Sequence, residues 1–172
     1  MRKLIAILIF FWTNSYGDDL NDKLHRMTDS LKNYGINSII VHRYSIFGGR
    51  FEIPYDQKEL QCGARATVAH IFWAKNNQWN CLRLDYCGLF ELIEIKPIRF
   101  NNIKIDPEIK FNQGSPHFTQ YNLTVIYNGS EDNVRLSGFQ LTKEKNGTTK
   151  TIKTINKIIE ELENKGRFKR VN

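Results

Sequence analysis

The apolar positions along this chain change period twice. In DDLNDKLHRMTDSLKNY, residues 18–34, Leu20, Leu24, Met27, Leu31 and Tyr34 recur at spacings of four and three. That puts them on one stripe of an α-helix. Asp18 and Asp19 suit the positive end of its dipole, and Gly35 supplies a stop. From Ile36 the period shortens. NSIIVHRYSIFGGRFEI is rich in β-branched and aromatic residues, with Gly48–Gly49 as a bend, and predicts a strand. After a polar loop at 54–59, ARATVAHIFWA (64–74) and QWNCLRL (78–84) predict two more. A turn at Asp85–Gly88 then leads into Leu89–Ile95, which is apolar on both faces.

Residues 103–111 alternate cleanly: Ile103, Ile105, Pro107, Ile109 and Phe111 on one side, Lys104, Asp106, Glu108 and Lys110 on the other. This predicts a strand with one wet face, and Pro107, which has no N–H, places it at an edge or a bulge. TQYNLTVIY (119–127) and VRLSGFQLT (134–142) follow, joined by turn residues at 128–133. The second switches phase at Ser137–Gly138, as a bulge would. Seven or eight short strands separated by turns predict a mainly β chain, read as a β-sandwich over 36–142. In the last stretch, 143–172, the period lengthens again. Ile152, Ile155, Ile159 and Leu162 stand at helical spacing, although β-branched residues and a Lys-first, Glu-last order oppose it.

The ends set the compartment. MRKLIAILIFFWTNSYG has a positive start, a short apolar run from Leu4 to Trp12 and small residues before Asp18. This is the layout of a signal peptide over 1–17, too short to span a bilayer at ~20 residues. Three sequons, at Asn122, Asn128 and Asn146, fit a secreted, extracellular glycoprotein.

Cys62, Cys81 and Cys87 are an odd set, so an oxidising compartment predicts one disulfide and one leftover thiol. Cys62 and Cys81 are the candidates, closing a loop of about 20 residues for roughly 3 kcal/mol. Cys81 and Cys87 flank one tight turn and would lie too far apart to bond. Neither the cysteines nor His25, His42, His70 and His117 show ligand-pair spacing, so no metal or cofactor is expected, and each histidine reads as structural or surface.

The net charge of +7 divides unevenly. The first 17 residues take +2, residues 143–172 hold nine Lys/Arg against four Glu, and the body between balances 14 basic with 14 acidic residues. A neutral body is not the footprint of a nucleic-acid-binding fold. The basic tail has the chemistry for weak contact with anionic surfaces.

At the centre of the chain, DYCGLFEL followed by IDPEIKF resembles the core of the nematode transthyretin-like family. The matching positions are Asp85, Gly88, Phe90, Glu91 and Leu92, then Ile105, Asp106 and Pro107. ATVAHIFWAKN, YNLTVIY and VRLSGFQLT resemble further strands of that family, so the resemblance covers residues 44–142. It departs where the family has a cysteine after the Ile-Asp-Pro strand, which FNQGSPHFTQ lacks. The resemblance implies a transthyretin-like (prealbumin-like) sandwich with helical N- and C-terminal extensions. It also implies a non-enzymatic protein at or near the cell surface that binds a small hydrophobic or lipid ligand or a cell-surface protein.

Two alternatives stand beside it. One is a secreted effector with an unrelated sandwich. The other is a hydrolase of the hydroxyisourate type, whose closing Tyr-Arg-Gly-Ser is absent from the RFKRVN end. Read physically, Asp85 and Gly88 build a turn, and Phe90 and Leu92 share a core face. Asp106 and Glu108 are solvated strand residues, so no catalytic residue is assigned.

Overall fold

The computed structural model describes residues 20–47, 67–76, 78–85, 88–89, 93–95, 103–106, 108–114 and 118–164. They form α1 (Leu20–Asn33), β1 (Ser38–Phe47), β2 (Thr67–Lys75), β3 (Gln78–Asp85), β4 (Gly88–Leu89), β5 (Ile93–Ile95), β6 (Phe118–Tyr127), β7 (Ser130–Ser137), α2 (Gly138–Lys143) and α3 (Gly147–Asn164). The expected signal peptide at 1–17 lies outside the described residues, as do Cys62, Cys87, Phe90, Glu91, Leu92, Pro107 and His117.

The helix expected at the start is α1, and Leu20, Leu24, Met27 and Leu31 are its buried stripe. It ends as Gly35 permits. Gly35 takes φ +73°, its N–H reaches the Lys32 carbonyl at 2.9 Å, and the Ile36 N–H reaches the Leu31 carbonyl at 3.1 Å. This is a Schellman closure, and Ile36 and Leu31 pack in one cluster beneath it.

All strand pairs are antiparallel and belong to one sheet, in the order β4–β3–β2–β1–β6–β7, with β5 also on β3. Two tight links are readable as chemistry. Asn128 (φ 50°) and Gly129 (φ 84°) form a two-residue hairpin loop between the paired Tyr127 and Ser130. Asp85 pairs with Gly88 across the expected turn. Beyond it the register slips by one, from Leu84 opposite Leu89 to Cys81 opposite Ile93, so the β4–β5 side carries one extra residue.

The mainly β reading holds, and so do the helical extensions at both ends. The two-sheet packing is corrected: the described strands make one open sheet, and helices cover its faces. The reason is visible in β2, where Val68 to Trp73 are buried without interruption. A strand buried on both faces needs a layer on each side. On one face α1 packs its stripe against Ile39, Ala69, Ile71, Trp73, Leu82, Leu84 and Ile126. On the other, Ile152, Ile155, Ile159 and Leu162 of α3 pack against Ile40, Phe72, Trp79, Cys81, Leu123, Val125 and Leu136. The C-terminal helix is therefore core rather than appendage.

Two further expectations change. Ser137–Gly138 is a helix start, not a bulge. Ser137 caps α2, its hydroxyl accepting from the Gln140 N–H while the Gln140 side chain accepts from the Ser137 N–H. Residues 103–111 alternate as expected, with Ile103, Ile105, Ile109 and Phe111 turned inward and Lys104, Asp106, Glu108 and Lys110 outward, but they join no sheet. Their backbone is satisfied by side chains instead. Thr148 and Thr151 of α3 accept from the Asp106 and Lys104 N–H groups at 2.8 and 3.1 Å, and Gln140 donates to the Lys110 carbonyl at 2.9 Å.

Candidate functional site

Helix α1 covers only half of its face of the sheet. Its stripe sits over β1–β3, and its flank of Asn21, His25, Thr28, Asp29 and Lys32 looks across β6 and β7. Between that flank and the β6–β7 hairpin lies an open groove of about 440 Å³. Leu24, Val41, Leu123, Ile126 and Val134 form the apolar part of its wall, and the other lining residues are polar or charged.

The groove's chemistry follows from register. On this face Arg43 of β1 lies directly opposite Asn122 of β6, which lies opposite Arg135 of β7. Strand spacing puts the two arginine Cα atoms about 10 Å apart, on either side of one amide. The next rows along the groove are Val41–Thr124–Asn133 and Ile39–Ile126–Glu131.

Arg43 is held by neutral oxygens. Asn21 of α1 accepts from its Nη1. With the Asn122 amide oxygen turned toward the guanidinium, as the surrounding donors require, that oxygen accepts from Arg43 Nη2 at 3.1 Å and Nε at 3.3 Å. Amide oxygens orient a guanidinium without neutralising it. Arg135 lies over the Phe111 ring, 4.2 Å from its centroid. At the far end Lys32 of α1 binds Glu131 of β7 at 3.1 Å. This contact holds the Glu131 carboxyl below its ordinary range. The groove thus has an uncompensated cationic end and a paired, neutralised end.

The opposite face carries a second constellation, buried under α3. Arg83, His70 and His42 lie directly opposite one another across β3, β2 and β1. Both imidazoles are fully buried, their ring centroids 6.3 Å apart. Glu163 of α3 reaches over the row, 3.3 Å from Arg83 Nε and 3.7 Å from His70 Nε2. Burial, and then the neighbouring His70, push the His42 pKa down to about 3. Asn156 of α3 opposes that shift, although neither His42 nitrogen closes a short hydrogen bond. Burial also lowers His70, against the pull of Glu163. Glu163 in turn is held low by His70, then by Arg83. Tyr44, Tyr121 and Glu160 border the same region.

The sequence-predicted residues distribute as follows. Asn122 lies in the groove, Asn128 on the exposed hairpin tip, and Asn146 before α3, where its side chain accepts from the Thr149 N–H at 2.8 Å. Cys81 is a free thiol with no exposed surface. The other half of the expected bridge, Cys62, lies outside the described residues, and Cys81 itself faces the apolar cluster under α3. Burial pushes its thiol pKa well up, followed by Glu163. Of the family-like motif, Asp85 and Gly88 build the β3–β4 turn, while Ile105 and Asp106 lie in the strap along α3. None of them reaches the groove.

Of the Arg43–Asn122–Arg135 row the sequence singled out only Asn122, and that as a sequon. Only strand register brings Arg43, Asn122 and Arg135, scattered over 93 positions, into one row. The histidine pairing was likewise invisible. Its single sequence signal is that His42 and His70 both occupy positions within otherwise apolar strands.

Among the described residues, no three His, Cys, Asp or Glu side chains converge as metal ligands, and no helix is long and apolar enough to cross a membrane. No family model, curated protein or solved structure matches this chain.

Proposed function

We propose that this is a secreted, non-enzymatic binding protein that recognises an acidic segment of a cell-surface protein through the α1/β6–β7 groove. The observation carrying this reading is the Arg43–Asn122–Arg135 row: two guanidiniums flank one amide, and neither is matched by a carboxylate among the described residues. A carboxylate held between them gains charge-assisted, bidentate hydrogen bonds. Thr124 donates to Asn133 at 2.5 Å and Asn133 to Glu131 at 3.4 Å, forming a polar floor beside the row, and Leu24, Val41 and Ile126 supply apolar contact.

Of the two ligand classes expected from sequence, the arginine and amide side chains of the groove favour the protein partner over the small hydrophobe or lipid. The extracellular setting rests on the signal-like start and the sequons. The transthyretin-like kinship rests on its motif residues alone, and the single helix-covered sheet adds nothing to it.

The test is isothermal titration with a short acidic peptide, Ac-Gly-Asp-Gly-Glu-Gly-NH2, against its Asn/Gln counterpart. Removing one charged hydrogen-bond donor costs about 1.5–3 kcal/mol, so Arg43→Met and Arg135→Met should each weaken the acidic peptide at least tenfold. Equal binding of both peptides, or binding indifferent to both variants, contradicts the proposal.

A further inference from the structure

We propose that the buried His42–His70 pair is an acid-sensitive latch, and that acidification releases the C-terminal half of α3 from the sheet.

His42 and His70 are directly opposed on central strands β1 and β2, and neither exposes any surface. A buried imidazole is tolerated when neutral. Charged, it must find a counter-ion or reach water. The groups facing the pair come from every neighbouring element: Arg83 and Cys81 from β3, Tyr44 from β1, Tyr121 from β6, and Asn156, Glu160 and Glu163 from α3. Arg83 is already cationic, and Cys81, Tyr44 and Tyr121 are neutral. Among the described residues facing the pair, only the two glutamates can compensate a new charge. Glu163 is shared between Arg83 and His70, and no carboxylate figures among the influences on His42. His42 is therefore the uncompensated member.

The way out is also defined. The first half of α3 is fastened by Thr148 and Thr151 to the backbone of the strap at 104–106. The half that covers the histidines, from Asn156 onward, holds by apolar contacts of Ile159 and Leu162 and by Glu163. Lifting that half gives the imidazoles water without breaking any strand pairing.

The sign follows from linkage. Folded His42 holds its proton only near pH 3, whereas a solvated imidazole binds one near 6.5. Between those values the open state binds more protons, so closure is fully favoured above about pH 6.5 and weakens as pH falls. At pH 5 this group alone shifts the equilibrium toward opening by about 25-fold relative to pH 7. His70, lowered in the same direction, adds to it.

The test is hydrogen exchange read by mass spectrometry at pH 7 and pH 5, corrected for intrinsic exchange rates. Residues 156–164 are expected to lose at least tenfold protection at pH 5 while α1 keeps its own, and His42→Leu should shrink the difference severalfold, leaving only the part due to His70. Uniform loss across both helices, or unchanged protection of α3, overturns the proposal. If His42→Leu does not fold, the wild type still decides by its histidine NMR titration: an imidazole neutral at pH 5 in the closed state is expected, and one titrating near pH 6.5 with α3 in place contradicts the latch.

Discussion

Asn128 and Gly129 show how much a single residue type can specify. Both stand at positive φ in a two-residue loop, which matches the twist of the flanking strands. A Cβ on Gly129 would meet no atom within 4 Å, so replacement there costs only backbone conformation. Gly129→Ala should therefore lower stability by about 1 kcal/mol, and Asn128→Gly should be close to neutral; chemical denaturation checks both. The exposed Asn128 is the sequon best presented to solvent, whereas the Asn122 amide is engaged with Arg43. Glycopeptide mapping of secreted material should find Asn128 occupied, and occupancy at Asn122 with Asn128 bare would contradict that reading. Cys81, buried and with its thiol pKa raised, should resist iodoacetamide until the protein unfolds.

At the scale of elements, the sequence was most readable where periodicity and punctuation agree. The stripe of α1 and its Gly35 stop, the paired strands β2 and β3, and the Asp85–Gly88 turn all stand as the pattern predicts. It failed where a local side chain overrides the period. Ser137 and Gln140 cap each other and turn an expected strand into α2. The 103–111 stretch alternates like a strand, yet threonines of α3 and the Gln140 amide satisfy its backbone, and Pro107 has no N–H to donate. Ser137→Ala should cost about 1 kcal/mol through loss of the cap, measured as a lower denaturant midpoint at unchanged slope.

For the whole molecule, the expectation of two sheets and the one sheet of the described strands differ for a single reason. Alternation and a buried strand tell how many faces need cover, but not whether helix or sheet covers them. The answer lay in the C-terminal stretch, where isoleucines at helical spacing compete with unfavourable propensity; packing decides, and α3 forms. Truncation after Lys145 removes Ile152, Ile155, Ile159 and Leu162 from the core. Each such burial is worth roughly 1.5–3 kcal/mol, and together they rival the 5–15 kcal/mol net stability of an ordinary domain. The truncated chain should be unfolded or insoluble, and a cooperative melt near that of the full chain would contradict the three-layer account.

The proposed site was the least legible part, because it exists only in register. Arg43, Asn122 and Arg135 come from three strands, and their uncompensated charges become neighbours only once β1, β6 and β7 pair. The most direct measurement is therefore an NMR titration of the labelled protein with the acidic peptide and with its amide counterpart. The account predicts saturable shifts at Arg43, Asn122, Thr124 and Arg135 for the acidic peptide alone. Shifts confined to the basic residues after Asn164, or none in the groove, would contradict it.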